Sequence, residues 1–252
     1  ATALKVDGQG NILVAGRTKS TDFPTTAGAY DATLDGFYDA FVAKLSSDLG
    51  TLQAATFLGG SSGDEATALA IDGGDVVVAG ETRSTDFPTT AGAYDATLDG
   101  FYDAFVAKLS SDLGTLQAAT FLGGSSGDSA TALALDGQGN VVVAGGTDSS
   151  DFPTTPGAYD ATYNGGFRDA FVAKLSSDLG TLQAATFLGG SGDDEATALA
   201  LDGQGNVVVA GRTVSSNFPT TTGAYDETYN GGSSDAFVAK LSSDLGTLQA
   251  AT

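Results

Sequence analysis

Asp39-Ala40-Phe41-Val42-Ala43-Lys44-Leu45-Ser46-Ser47-Asp48-Leu49-Gly50-Thr51-Leu52-Gln53-Ala54-Ala55-Thr56 returns at Asp103, Asp169 and Asp235, and from Ala40 to Thr56 no residue changes between copies. Two short apolar runs, Ala40 to Leu45 and Leu52 to Thr56, flank a polar turn with an Asp and a Gly. Phe41, Ala43 and Leu45 alternate with Val42 and Lys44, the period of a β-strand. The stretch is predicted to be strand, turn and strand.

Working outward, the repeat begins at Ala1 and restarts at Ala66, Ala130 and Ala196, dividing the chain into 1–65, 66–129, 130–195 and 196–252 within a single repeat domain. The length differences fall in turns, as expected for stacked units with constant strands. Two more strands precede the opening pair in each unit. The first is Ala1 to Val6. The second is the continuous apolar run Ile12 to Ala15, which suits a strand covered on both faces. Between them, Asp7-Gly8-Gln9-Gly10-Asn11 has the composition of a tight turn. A long polar connection from Thr18 to Tyr38 leads into the third strand. Four short antiparallel strands per unit, joined by Gly-rich corners, predict an all-β fold: a β-propeller built from four-stranded blades. A β-solenoid would show a shorter internal period, and an independent unit of this size without disulfides would be marginal alone.

Composition narrows the function classes. The 252 residues include 36 Gly and only 5 Pro, and 41% are hydrophobic, which fits many tight turns around a large core. Acidic residues outnumber basic ones 31 to 10, a net charge of −21. That balance argues against nucleic-acid and anionic-membrane surfaces, which need a basic footprint. It suits solubility, cation binding or a salty environment. Cys and His are absent, so no disulfide framework, thiolate site or His-based triad exists. No apolar run is long enough to span a bilayer. The chain opens without a Met or a signal peptide, so an internal stretch of a longer protein is expected.

The string Val6-Asp7-x-x-Gly10-Asn11, Gly16-x-Thr18-x-Ser20-x-Asp22-Phe23-Pro24-Thr25-Thr26, Gly28-Ala29-Tyr30, Asp39 to Leu45, and Thr56-Phe57-Leu58-Gly59-Gly60 to Asp64 resembles the SBBP repeat of bacteria and archaea. The resemblance covers essentially the whole chain. It implies a secreted or cell-surface β-propeller module within a larger protein, and it carries over no catalytic residues. Four copies are present, and the last stops at Thr252 where the others continue into Phe-Leu-Gly-Gly. Blades need neighbours, so ring closure, self-association or a longer array or filament is expected. Ser20 to Asp64 recurs unchanged as Ser84 to Asp128, so the interfaces should be alike.

The candidate sites lie in the long connection. Asp31, Asp35 and Asp39, echoed by Asp95, Asp99 and Asp103, become Asp160, Asn164, Asp169 and Asp226, Asn230, Asp235 in the later copies. Carboxylate and amide oxygens in Gly-containing loops suit Ca²⁺, although the spacing is not that of an EF-hand. The alternative is that they cap turn N–H groups. Asp7 with Asn11, like Asp136 with Asn140 and Asp202 with Asn206, offers oxygens for a cation, but a hairpin turn is enough to explain the pair. Phe23, Tyr30, Tyr94, Tyr159 and Tyr225 either stack on a glycan or protein ligand or pin the loop onto the sheet. Lys44 and its copies are expected to pair with acidic loops. No nucleophile elbow or phosphate-cradling loop occurs, and near-equal units make it hard to tune two carboxyls apart. The sequence therefore points to an extracellular, non-enzymatic structural or adhesive module, with lectin-like binding or filament formation as alternatives.

Overall fold

The computed structural model describes residues 1–252 and contains sixteen strands and no helix. Each repeat forms one antiparallel meander. The first sheet holds Ala3–Val6 (β1), Ile12–Thr18 (β2), Asp39–Leu45 (β3) and Leu52–Leu58 (β4), in that order. The second holds Asp64–Asp72 (β5), Asp75–Thr82 (β6), Asp103–Leu109 (β7) and Leu116–Leu122 (β8). The third holds Asp128–Leu135 (β9), Val141–Thr147 (β10), Asp169–Leu175 (β11) and Leu182–Leu188 (β12). Asp194–Leu201 (β13), Val207–Thr213 (β14), Asp235–Leu241 (β15) and Leu248–Ala251 (β16) form the fourth.

Alternation along the repeated strand decides how the sheets stack. Phe105, Ala107 and Leu109 of β7 join one core with Ala40 and Val42 of the first sheet. Ala104 and Val106 of the same strand join another with Phe171, Ala173 and Leu175 of the third. Ala170 and Val172 then meet Phe237, Ala239 and Leu241 of the fourth. Every interior sheet is therefore apolar on both faces, unlike an antiparallel sheet with one face in water. The first strand of each sheet packs across the face of its predecessor: β5 on β1 to β3, β9 on β5 to β7, and β13 on β9 to β11. No comparable packing joins β13 to β1, so of the expected arrangements the four sheets do not close as a ring by themselves.

Turns complete the interfaces. Gly10, with φ of 84°, allows the β1–β2 hairpin, and Asp7 accepts from the backbone N–H groups of Gln9 (2.9 Å) and Asn11 (2.8 Å). Between β3 and β4, Leu49 sits at φ of 60°, and its copies Leu113, Leu179 and Leu245 at 58° to 59°. A non-Gly residue there is strained, at a cost on the order of 1–3 kcal/mol. Packing offsets that cost in the copies: Leu113, Leu179 and Leu245 are fully buried, and their carbonyls accept the N–H of Tyr30, Tyr94 and Tyr159 at 2.9 Å. Each Tyr donor belongs to the sheet preceding the Leu that it reaches.

The interior aromatics should dominate stability. Phe105 is buried, while nearby Phe101 is exposed. Phe105→Ala is expected to cost about 3–5 kcal/mol in urea unfolding. Phe101→Ala should stay within about 0.5 kcal/mol of the parent chain.

Candidate functional site

The loop between the second and third strands of each sheet divides into three parts. Its Phe-Pro segment turns inward. Phe87 packs on Phe105 at 4.5 Å and on Phe121 at 5.8 Å between ring centroids, and Phe23 lies 4.8 Å from Phe41. Phe23 and its copies therefore plug the sheet edge. Tyr30, Tyr94 and Tyr159 pack beside the cores that join neighbouring sheets, whereas Tyr225 of the fourth sheet projects into solvent.

The acidic segment is organised by hydrogen bonds. Asp31 Oδ1 accepts from the Thr33 N–H and hydroxyl, both at 2.9 Å, and Asp95, Asp160 and Asp226 repeat the arrangement. Asp39 accepts from the N–H of Asp35 (2.8 Å) and Gly36 (3.1 Å). Asp103 does the same with Asp99 and Gly100, and the Asn164 and Asn230 N–H groups donate to Asp169 and Asp235 at 2.5 Å. No three acidic side chains converge in a geometry that holds a metal ion. Besides its contact with the Asp35 backbone, Asp39 forms a buried acidic pair across the chain.

That pair joins Asp39 to Asp64, Asp103 to Asp128, and Asp169 to Asp194. All six residues are fully buried. A Cβ added to Gly123 would lie 2.8 Å from both Asp103 Oδ1 and Asp128 Oδ2, so the two carboxyls flank one glycine that cannot be replaced. Asp128 Oδ2 accepts from the Gly124 N–H and the Ser149 hydroxyl, each at 2.8 Å. Asp128 Oδ1, Asp169 Oδ1 and Asp194 Oδ1 are buried without a hydrogen-bond partner. Two adjacent buried carboxyls with free oxygens require either a retained proton or a hard cation.

Burial is the principal cause of their altered acidity, and for Asp39, Asp103 and Asp169 the paired carboxylate adds to it. Asp39 is pushed up to about 6, and Asp103 and Asp169 to about 7, while Asp64, Asp128 and Asp194 are raised as well. Asp7 moves the other way, to about 2, through its hydrogen bond from the Asn11 side chain and its ion pair with Lys44 at 3.1 Å. Lys108, Lys174 and Lys240 pair likewise with Asp72, Asp136 and Asp202, at 2.6 to 2.8 Å.

The repeats differ at positions that sequence reading passed over. Arg17, Lys19 and Glu65 correspond to Glu81, Arg83 and Ser129, then to Gly146, Asp148 and Glu195, and Tyr38 and Tyr102 give way to Arg168, next to a Phe (Phe37, Phe101, Phe167) that the first three copies share. These residues touch one another. Arg17 pairs with Glu65 (2.7 Å), and Arg168 reaches Asp148 (2.8 Å), Glu195 (3.5 Å) and the Tyr102 hydroxyl (2.7 Å). The Arg17 guanidinium covers the Tyr38 ring and the Lys19 ammonium covers Phe37, 4.8 and 3.8 Å from the centroids. Phe37, Phe101 and Phe167 stand exposed among these charges. Departure from an otherwise constant repeat was the signal that marked the charged positions.

No family model matches the chain. It is 28% identical over 216 residues to the regulatory protein FlaEY of Caulobacter vibrioides, an alignment covering 80% of this chain and 22% of that protein. The chain thus spans about a fifth of that relative. Among solved structures, the computationally designed Ika8 protein aligns with all of the chain and 61% of its own, at a TM-score of 0.39 and 15% identity. That score is too low to define a shared fold.

The buried pairs set a pH dependence. Asp103 and Asp169 hold a proton up to about pH 7 when folded, and release it near the ordinary 3.8 when unfolded. Their contribution to stability is complete below that lower value and is lost as pH rises through about 7. Urea midpoints taken across this range should fall with pH. The Asp103→Asn/Asp169→Asn double variant should flatten the fall.

Proposed function

We propose that the chain is a non-enzymatic, β-propeller-type repeat module of a secreted or cell-surface protein, acting as a structural and adhesive scaffold. One observation carries this reading: the third- and fourth-strand residues that pack sheet on sheet, Ala40 to Thr56 and their copies, are constant between repeats, while the charged residues around the exposed Phe37, Phe101 and Phe167 differ from copy to copy. Constant interfaces fix the scaffold, and the variable cluster is free to serve recognition. The resemblance to SBBP repeats supports a propeller, whose ring would need more sheets than this open stack supplies.

Exposed aromatic rings beside cations and carboxylates favour a glycan as the ligand of that cluster, since a ring face stacks on a sugar while charged neighbours bond its hydroxyls. Beads coated with the chain should be retained on polysaccharide-coated glass. The Phe37→Ser/Phe101→Ser/Phe167→Ser variant should lose about tenfold or more of that retention without loss of stability, as for exposed anchor residues. Equal retention by the variant would contradict the reading, and so would substrate turnover by the chain.

Calcium enters this proposal through the buried carboxyl pairs. Above about pH 7 Asp103 and Asp169 have lost their protons, and a divalent ion would offset the charge left beside their partners. Added CaCl₂ at pH 8 should raise the melting temperature and a chelator should reverse the gain. The Asp39→Asn/Asp103→Asn/Asp169→Asn variant should show neither response. An unchanged melting temperature in the parent chain would leave proton retention as the sole role of the pairs.

A further inference from the structure

The two outer faces of the stack are halves of the interface that recurs inside it. On the fourth sheet, Val238 is 46% exposed, although its copies Val42, Val106 and Val172 are fully buried by the sheet that follows. Tyr225 beside it is 97% exposed. Two cavities of about 320 Å³ each meet at Tyr225 and Val238. On the first sheet, Leu4 and Leu49 are 60% and 63% exposed, whereas Leu69 and Leu113 are buried against the sheet before them. Five of the eight exposed large hydrophobic residues, Leu4, Val6, Leu49, Tyr225 and Val238, lie on these two faces.

The unpaired polar groups are complementary too. Inside the stack each junction carries a backbone bond from Tyr N–H to Leu carbonyl, as from Tyr30 to Leu113. Each also carries a bond from a Thr hydroxyl to an Ala carbonyl, as from Thr67 to Ala130 (2.5 Å) and from Thr131 to Ala196 (2.7 Å). On the fourth sheet the Tyr225 N–H has no such acceptor, and the Thr197 hydroxyl reaches only Ala210 of its own sheet. On the first sheet the Leu49 and Ala1 carbonyls have no such donors. Leu49 nevertheless keeps its left-handed backbone at φ of 60°, so the feature that docks elsewhere is already formed.

We infer that a second copy of this chain docks its first sheet on the fourth sheet of the first copy, reproducing the internal junction with Leu49 against Tyr225 and Val238. The occupant follows from continuity: the required surface is one that the chain itself presents at its other end. Such a contact is heterologous and gives a closed ring or an open chain of copies. The net charge of −21 on each copy opposes docking, so association should strengthen as salt screens it. This inference rests on the scaffold reading and names that scaffold's partner.

Sedimentation of the whole chain across concentration and salt tests it. The parent should form species of at least twice 24.9 kDa. Leu49→Asp and Val238→Asp should each sediment as single folded chains, with Tyr225→Ala as a second probe of the fourth sheet. Mixing the two Asp variants should restore a one-to-one complex, because Leu49→Asp retains a working fourth sheet and Val238→Asp a working first sheet. A parent that stays single at every concentration and salt level would overturn the docking, as would Asp variants that still associate or a mixture that does not. A folded single chain that still adheres through Phe37, Phe101 and Phe167 would leave the scaffold reading intact.

Discussion

Everything in this molecule depends on one constraint: both faces of the repeated sheet are apolar, so each sheet must be covered twice. Phe105, Ala107 and Leu109 look one way and Ala104 and Val106 the other, and neither set reaches water. Burial of such surface is worth about 25 cal/mol per Å², and no single sheet collects enough of it to offset chain entropy. The stack is a cooperative object in which each repeat lends its faces to its neighbours. Its loops follow the same demand. Phe87 closes the edge of one sheet, and Tyr30 reaches over to the next.

The polar groups obey a second rule, that buried donors and acceptors are paired. Most of the acidic excess is explained by it. Asp31, Asp39 and Asp48 satisfy backbone N–H groups in their own turns, and Asp7 also anchors Lys44. The oxygens left over belong to Asp128, Asp169 and Asp194, in pairs that tie the start of one sheet to the third strand of the sheet before it. These pairs place two buried carboxyls side by side at each junction, so that burial raises their pKa values where the sheets meet.

Much of the fold was legible in the sequence because the repeat fixes strand boundaries four times over. The runs Ala40 to Leu45 and Leu52 to Thr56 are β3 and β4 to within two residues at each end. The Asp7–Asn11 turn and the role of Lys44 were legible for the same reason, since each is local. What escaped reading is long-range or angular. Asp39 and Asp64 lie 25 residues apart, a pairing that the local spacing of Asp31, Asp35 and Asp39 does not reveal. Whether four sheets close depends on small rotations between neighbours that no residue pattern encodes. The left-handed Leu49 carries no sequence mark, since Gly50 stands beside it and looks like the better candidate. Phe37 and Arg168 were hidden in turns and became conspicuous only when the variable positions were seen to touch.

The central claim, that the junctions between sheets hold the molecule together, is tested most directly by urea unfolding of chains covering residues 1–65, 1–129, 1–195 and 1–252. The single repeat should be unfolded, and stability should then rise by a nearly constant increment with each added repeat. A single repeat that folds with the stability of the full chain would contradict the account.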